Sequence, residues 1–275
     1  MDIGGALTHR ELFYPARAHS CDPPILMETR LTFDILAQPD DSTCGPTCLQ
    51  AVYRYFGDTL PLDQVIRDTR QLDDGGTLAV LLGCQALERG YDATIYTYNL
   101  RVFDPTWFAP GAPDLREKLR ARMAAKVSDK SSKKTVEKMR LAASAYIDFL
   151  DGGGEIRFED LTPTLIRRHL RREIPILTGL SATYLYRCAR EVEEGGSSEY
   201  DDVRGDSMGH FVVLCGYDSD TRKVLVADPL WPNPMAKSHL YEVGIDTVLC
   251  AILLGILTYD ANLIVIEPGE RKKST

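Results

Sequence analysis

Two segments of the 275-residue chain carry side chains whose types and spacing suit nucleophilic catalysis. In the first segment, Gln38 stands six residues before Cys44, and Gly45 follows the cysteine directly. The thiolate form of cysteine is a strong nucleophile. In the second segment, His210 and Asp228 flank a predicted turn, and an imidazole oriented by a carboxylate can act as an acid and a base. Together these residue types indicate acyl-transfer chemistry.

The residues around Cys44 predict that a helix begins beside the thiol. Pro46 suits a first-turn position, and the helix is predicted from about residue 46 to 56 by the spacing of Cys48, Leu49, Val52 and Phe56. Unpaired N–H groups and the helix dipole stabilise an anion at such an end, which favours the thiolate of Cys44. Gly45 is expected to leave room for a substrate backbone. The amide of Gln38 and the N–H of Cys44 are expected to form an oxyanion hole.

The second segment is predicted to be a β-hairpin, with strands at 210–217 and 223–227 and a turn at Asp218–Arg222. A turn midpoint near residue 219 would place His210 directly opposite Asp228, with the Cβ atoms about 5 Å apart. A slip of one residue would put the two side chains on opposite faces. Gly209, beside the histidine, and Trp231, three residues beyond Asp228, are expected to line the substrate cleft.

Other elements are predicted from periodicity. A strand is expected at Leu31–Leu36, and helices are expected at 62–70, 76–89 and 161–172. Further strands are expected at 91–98, 175–178 and 262–266. The apolar run Val248–Leu257 is too short to span a membrane and is predicted to lie in the core. The mixture indicates one α+β domain over residues 1–275, preceded by an irregular N-terminal arm at 1–28.

Charge is unevenly distributed along this chain, whose net charge is −8. Residues 116–140 hold ten Lys or Arg and three carboxylates, within a predicted inserted helical hairpin at 113–152. Residues 191–206 hold seven carboxylates and one arginine, and they are predicted to form a mobile acidic loop that favours cationic substrates. The net-negative chain argues against specific nucleic-acid binding, although the basic hairpin suits an acidic partner.

The quoted segments resemble the bacteriocin-processing cysteine peptidases, which remove leader peptides after a double glycine. The resemblance rests on Q-P-D-D-S-T-C-G-P-T-C-L-Q-A-V at residue 38, G-H-F-V-V-L-C-G-Y-D at residue 209 and V-L-V-A-D-P-L at residue 224. It implies a papain-like fold, with a helical N-terminal lobe and an antiparallel sheet lobe. It also implies that Cys44 is the nucleophile, His210 the base, Asp228 the orienting residue and Gln38 the oxyanion donor. No phosphate-binding G-x-x-x-x-G-K-[ST] loop of a transporter is present, which indicates a stand-alone member.

The sequence therefore predicts a cysteine peptidase or amidase that acts on a peptide without a metal or organic cofactor. Two alternatives stay open at this point. An acyltransferase or γ-glutamyl transpeptidase would use the same three residues, and a non-catalytic peptide-binding module would use only the cleft. Seven cysteines without paired spacing, and no basic-then-apolar start, favour reduced thiols and a cytoplasmic location.

Overall fold

A computed structural model describes residues 29–72, 75–126, 133–194, 197–258 and 260–269. The predicted N-terminal arm at 1–28 and the tip of the basic hairpin at 127–132 lie outside these residues. The helices are α1 (Cys44–Tyr55), α2 (Leu62–Asp68), α3 (Ala79–Glu88), α4 (Leu115–Lys126), α5 (Lys133–Asp151), α6 (Pro163–Leu170), α7 (Ala182–Tyr186) and α8 (Ile245–Leu254). Single 3₁₀ turns lie at Pro105–Phe108 and Gly255–Thr258.

The strands are β1 (Thr29–Arg30), β2 (Tyr91–Thr97), β3 (Glu155–Arg157), β4 (Ile176–Ser181), β5 (Glu191–Glu194), β6 (Ser197–Tyr200), β7 (Gly209–Asp218), β8 (Lys223–Ala227), β9 (Leu240–Gly244) and β10 (Asn262–Pro268). The main sheet has the order β3-β2-β10-β4-β7-β8-β9, and β1 pairs with the far end of β7. Neighbouring strands are antiparallel except β2 and β3. The predicted α+β class is confirmed.

The sheet extends further into the N-terminal half of the chain than a purely helical lobe would allow. β2 pairs along its whole length with β10, so one sheet joins both halves. Helix α1, which begins with Cys44, packs on the central strand β7, and α3 packs on β2 and β10. Residues 210–218 of β7 are all buried as a result. The expected arrangement of a cysteine-bearing helix on an antiparallel sheet is therefore present.

The segment Leu31–Leu36 is not the strand that its alternation predicts. Leu31, Phe33 and Ile35 are buried and the residues between them are exposed, so the predicted faces are right. Only the two residues of β1, just before this segment, pair with β7 as a strand. Within the segment, Leu31 adds one hydrogen bond from its N–H to the carbonyl of Cys215, at 2.9 Å. Alternation reports which side chains are buried, whereas a strand also needs a neighbour with free backbone groups.

The basic region forms two helices, α4 and α5, as predicted, but α5 is part of the core. Phe149 of α5 is fully buried, and Tyr146 packs edge-on against Phe103 with ring centres 4.7 Å apart. The Phe149 ring lies over Gly83 of α3, where a Cβ would come within 2.7 Å of it. Helix α5 therefore covers the sheet together with α3.

The acidic segment at 191–206 was predicted to be a mobile loop, whereas the structure has a pair of strands within it. β5 and β6 pair as an antiparallel hairpin, with Glu191 opposite Tyr200, and a further bridge joins Glu191 to Asp206. Arg204 forms a local ion pair with Asp201, at 2.6 Å, in the segment that follows β6. Backbone pairing between β5 and β6 supplies order that the charged composition does not indicate.

The apolar run at Val248–Leu257 falls in α8 and the turn that follows it. Val248, Ala251 and Ile252 are buried, as predicted for core residues, whereas Leu253 and Leu257 are about half exposed. Among the described residues, no helix has the length and apolar character needed to cross a membrane.

Candidate active site

Cys44 is the first residue of α1, two positions earlier than the predicted helix start. Its backbone N–H and that of Gly45 precede the first helical bond, which runs from the N–H of Thr47 to the carbonyl of Thr43. No carboxylate lies in the first turn. The thiol therefore sits at the positive end of a twelve-residue helix, where a negative charge is stabilised.

The loop before Cys44 is fixed by its own polar side chains. Asp40 accepts hydrogen bonds from the N–H and the hydroxyl of Ser42, at 2.9 and 2.7 Å. The hydroxyl of Thr43 donates to the carbonyl of Asp40 at 3.0 Å. The bond from the Ser42 hydroxyl holds the pKa of the Asp40 carboxyl below its usual value. Asp40 is thus a turn former, and it sets the approach to α1.

Gln38 lies at the same end of the molecule as Asp228. Its backbone N–H donates to the carbonyl of Pro229 at 2.9 Å, and its side-chain amide donates to the carbonyl of Asp40 at 2.9 Å. An amide group has two N–H donors, so one remains for another acceptor. The side-chain oxygen is buried and has no hydrogen-bond partner within the described part of the chain.

His210 occupies the second position of β7, where it pairs with Leu180 of β4. Its side chain is 7% exposed, and its Nε2 lies 2.9 Å from Oδ1 of Asp228. The thiol of Cys44 lies close enough to the ring to raise the pKa of His210. Because Nε2 faces the carboxylate, Nδ1 is the nitrogen left for the thiol. The structure therefore places the three residues predicted for chemistry close together.

Asp228 follows the last residue of β8 and is completely buried. Its Oδ1 accepts from the His210 ring and from the N–H of Leu230, at 2.9 Å each. Its Oδ2 accepts from the hydroxyls of Tyr186 and Tyr241, at 2.7 and 2.5 Å. A carboxylate offers about four acceptor sites, and all of them are occupied here.

The ionisation of the pair follows from these contacts. Burial opposes the charge on each group, but the mutual attraction and hydrogen bond outweigh it. They raise the pKa of His210 above its ordinary value and lower the pKa of the Asp228 carboxyl. The thiol of Cys44 further raises the pKa of His210. The arrangement therefore favours a protonated imidazole beside Cys44, and a nearby positive charge of this kind favours the thiolate form that nucleophilic attack requires.

The predicted hairpin register is wrong, although the predicted contact is present. Asp218 pairs with Lys223, so the turn is centred beyond residue 219, and a bulge between Leu214 and Gly216 moves the pairing back by one residue. Beyond the bulge, Val213 pairs with Ala227, which brings Asp228 opposite residue 212 rather than His210. A shift of two residues keeps both side chains on one face, so the contact is diagonal.

Without the bulge the two side chains would not meet. The pairs nearest the turn, such as Gly216 with Leu225, would place Asp228 opposite residue 213 if they continued unbroken. That position lies three residues from His210 and therefore on the other face of the sheet. The extra residue, Cys215, restores the correct face.

The three residues expected to contact substrate have different surroundings. Gly45 is buried, and the space beside it holds Thr77, Leu82 and Phe211, so the expected room for substrate is filled by the chain's own side chains. This glycine permits close packing of α1. Gly209 is exposed and lies against Thr258, where a Cβ would come within 2.7 Å of the hydroxyl oxygen. Trp231 is 53% exposed, on the loop that follows Asp228.

Sequence reasoning missed the residues that surround Asp228. Tyr186 lies on α7 and Tyr241 on β9, and neither element was predicted. His239, for which the sequence offered no role, directs Nδ1 to the Asp228 carbonyl at 2.7 Å. No spacing within the chain signals these contacts, because their partners lie 11 to 42 residues away.

Two further residues that could do chemistry lie in the core. Cys48, one turn beyond Cys44, is fully buried, and burial raises the pKa of its thiol. His169 is also buried, with Nε2 at 3.1 Å from the hydroxyl of Tyr96. Across the described residues, no group of three or more His, Cys, Asp or Glu side chains is arranged to hold a metal ion.

Comparison with protein families gives a match to the Peptidase_C39 like family over residues 121–243. The matched region begins after Cys44 and contains His210 and Asp228. No curated protein sequence matches the chain.

Comparison with solved structures gives several similar chains. One is a double glycine motif protease from an AMS/PCAT transporter in complex with the leader peptide, at 14% identity and TM-score 0.40, covering 88% of this chain and 95% of that one. Another is the peptidase domain of Streptococcus ComA, a bifunctional ABC transporter, at 13% identity and TM-score 0.37, covering 86% and 98%. A third is xylellain, a cysteine protease from Xylella fastidiosa, at 16% identity and TM-score 0.38, covering 87% and 85%. The family match and the segments that carry Cys44 and His210 together show that this chain resembles the cysteine peptidases of the Peptidase_C39 like family.

Proposed function

We propose that the protein is a cysteine peptidase that cleaves a peptide bond through an acyl-enzyme on Cys44. The observation that carries the proposal is the hydrogen bond between His210 and the buried Asp228, with the thiol at the start of α1 near enough to His210 to raise its pKa. The match to a peptidase family supports the same reaction class.

In the proposed reaction, the Cys44 thiolate attacks the carbonyl carbon of the scissile bond. The carbonyl oxygen becomes an oxyanion, held by the Cys44 N–H and the side-chain amide of Gln38. The intermediate collapses, the C–N bond breaks, and the leaving amine takes the proton from Nδ1 of His210. The products of this half are a free amine and a thioester on Cys44.

The second half of the reaction restores the enzyme. Neutral His210 takes a proton from water, and the resulting hydroxide attacks the thioester carbon. The C–S bond breaks, a carboxylic acid leaves, and the thiolate–imidazolium pair forms again. Asp228 remains an anion throughout and fixes the imidazole through Nε2.

Competitive alkylation tests the proposed nucleophile in the wild-type protein. Iodoacetamide at pH 7, with quenching at intervals and peptide mass spectrometry, measures the rate at each cysteine. Cys250 is exposed and serves as the internal reference thiol. An ordinary thiol is only a few per cent ionised at this pH, so we expect Cys44 to react about tenfold faster or more.

The matched variant in this assay is His210→Ala, which removes the imidazolium and leaves the helix intact. We expect this variant to lower the alkylation rate of Cys44 to that of Cys250. Equal rates in the wild-type protein would overturn the assignment of Cys44 and favour a binding module. Product analysis with and without an added amine separates hydrolysis from acyl transfer.

We further propose that the preferred substrate carries a basic segment near the scissile bond. The acidic hairpin is bridged through Glu191 to Asp206, four residues before His210, so the chain leads from the hairpin directly into the strand that carries the histidine. Glu199 and Asp202 are exposed. Carboxylates near an active-site cleft raise the local concentration of cationic ligands.

Neutralising these charges tests the preference. The double variant Glu199→Gln, Asp202→Asn is expected to lower kcat/KM for lysine-flanked peptides by about threefold at low ionic strength, and the effect should vanish in about 0.5 M salt. For glutamate-flanked peptides, kcat/KM should rise or stay unchanged in the same variant. Asp92→Asn with Glu117→Gln removes the same charge from exposed positions elsewhere and is the control. An equal loss in both double variants would contradict the proposal.

We also propose a cytoplasmic location for the enzyme and an acidic partner for the basic helices at 116–140. A catalytic thiol needs a reducing setting, and the cysteines within the described residues are free of disulfides. Arg120 and Arg140 are exposed on α4 and α5, where they suit contact with carboxylates.

A further inference from the structure

The Asp228 carboxylate is bound on its far side by two phenol hydroxyls that come from separate elements. Tyr186, the last residue of α7, lies 2.7 Å from Oδ2. Tyr241, the second residue of β9, lies 2.5 Å from the same oxygen. The two hydroxyls therefore converge on the oxygen that does not contact His210.

Both phenols donate to the carboxylate rather than accept from it. An ionised carboxylate has no hydrogen to give, so each hydroxyl must supply one. Burial, followed by the charge of Asp228, raises the pKa of both Tyr186 and Tyr241 above the ordinary value of a phenol. The two hydroxyls consequently stay protonated at every pH at which the protein would act.

The arrangement fixes the orientation of the carboxylate as well as its charge. With two donors on Oδ2 and the N–H of Leu230 on Oδ1, rotation about the Cβ–Cγ bond would break three hydrogen bonds. Oδ1 is therefore held towards Nε2 of His210, at 2.9 Å. Tyr186 also lies beside the imidazole, with ring centres 6.0 Å apart.

We propose that Tyr186 and Tyr241 are positioning residues that hold Asp228 as an oriented anion and, through it, keep His210 protonated with Nδ1 towards Cys44. The proposal rests on the proposed cysteine peptidase function. It assigns the two tyrosines no contact with the reacting atoms, and their effect passes through the carboxylate.

The direction of the expected pH effect follows from the groups around the carboxylate. Around Asp228 lie His210 of β7, Tyr186 of α7, Tyr241 of β9 and, from α1, the thiols of Cys44 and Cys48, and His239 contacts its backbone carbonyl. Loss of a phenol donor makes the anion of Asp228 less stable, so its pKa rises. A carboxylate held by fewer donors can also turn away from Nε2, which weakens its hydrogen bond to the ring, so the pKa of His210 falls. A less stable imidazolium stabilises the Cys44 thiolate less well, and the pH above which Cys44 is activated should therefore rise.

The test uses Tyr186→Phe, Tyr241→Phe and the matched control Tyr53→Phe. Tyr53 lies on α1 and donates a buried hydroxyl to Gln85, away from Asp228. The readout is the rate of Cys44 alkylation by iodoacetamide across pH 4 to 11. We expect each site variant to move the acid limit of fast alkylation upwards by about one pH unit, since a bond to a charged group is worth about that much. Tyr53→Phe should leave the limits unchanged.

A second readout does not require a reactive thiol. In a Cys44→Ala background, NMR titration of ¹⁵N-labelled histidine follows the protonation of His210 directly. We expect its midpoint to fall in both site variants by a similar amount. Thermal unfolding of each variant at pH 7 confirms that the protein is folded.

The outcomes separate the two proposals. Lower thermal stability with unchanged pH limits and an unchanged His210 midpoint would mean that the tyrosines are merely structural, which overturns this inference. A wild-type Cys44 no more reactive than Cys250 would instead overturn the proposed function. Shifted midpoints in the NMR titration would then still support the tyrosine effect on Asp228.

Discussion

Cys44→Ala is expected to abolish peptide cleavage. The change removes the only group proposed to bond to the substrate, and loss of a nucleophile from such a unit lowers kcat/KM by about 10⁴-fold or more. The thiol is partly exposed at the first turn of α1, so its loss leaves no large cavity and the fold should persist. The measurement is cleavage of a fluorescence-quenched peptide library, with thermal unfolding recorded on the same samples.

Cys48→Ala is the control for this prediction. Cys48 lies one turn further along the same helix, is fully buried, and donates from its thiol to the carbonyl of Phe211 at 3.2 Å. Its loss should lower the unfolding temperature more than Cys44→Ala does, yet leave cleavage within a few-fold of wild type. Cleavage that survives Cys44→Ala and disappears with Cys48→Ala would move the nucleophile to the second thiol.

Asp228→Ala is expected to lower both stability and activity. The substitution leaves the hydroxyls of Tyr186 and Tyr241, the N–H of Leu230 and the His210 ring without their buried acceptor. Removing one member of a buried charged pair destabilises a protein by about 3–5 kcal/mol. The imidazole would also lose its orientation, and acid–base assistance of this kind contributes about 10²- to 10⁴-fold in rate. Urea unfolding and steady-state kinetics measure the two losses.

Asp228→Asn removes the negative charge of the side chain but keeps its size and shape, so it tests the charge alone. The amide oxygen can accept from the His210 ring, and the tyrosine hydroxyls can rotate to accept from the amide N–H groups. Stability should therefore fall less than in Asp228→Ala, while activity falls by a comparable factor because the imidazolium is no longer stabilised. Equal activity of Asp228→Asn and the wild-type protein would show that the charge is not needed.

The difference in unfolding free energy between wild type and Asp228→Asn should depend on pH in a defined way. The pKa of His210 is raised by folding, so its contribution is complete below the ordinary value of 6.5 and is lost as pH rises towards the folded value. The pKa of Asp228 is lowered, so its contribution is complete above the ordinary value of 3.8 and is lost as pH falls towards the folded value. The difference should therefore be largest between these two ordinary values. A difference that is constant from pH 3 to 10 would contradict the ion pair.

The nucleophile helix could be predicted because its signals are local. Pro46, the apolar spacing that follows it and the turn formed by Asp40 all act within a few residues of Cys44, and α1 begins two residues from the expected start. The strand of His210 and the turn after it are local for the same reason, since a hairpin joins neighbouring segments. The side-chain types then limit the chemistry to a thiol, an imidazole and a carboxylate.

The exact register could not be predicted, because the turn geometry and the bulge have no reliable local signature. Counting from an assumed midpoint placed His210 opposite Asp228, whereas the bulge at Cys215 sets the pairing two residues away. The predicted contact is present because an even shift preserves the face of a strand. The predicted role of Gly45 differs for a related reason, since the atoms that fill its space come from Thr77, Leu82 and Phe211.

By itself, the sequence determined the residue types at the site, the helix that carries Cys44 and the hairpin that carries His210. These follow from short-range rules of helix starts, alternation and turns. Only the tertiary structure decided what surrounds Asp228. Tyr186, Tyr241 and His239 reach it from α7, β9 and the loop before β9, which meet only when the sheet is assembled. A buried carboxylate needs donors on both oxygens, and packing of distant elements is what supplied them.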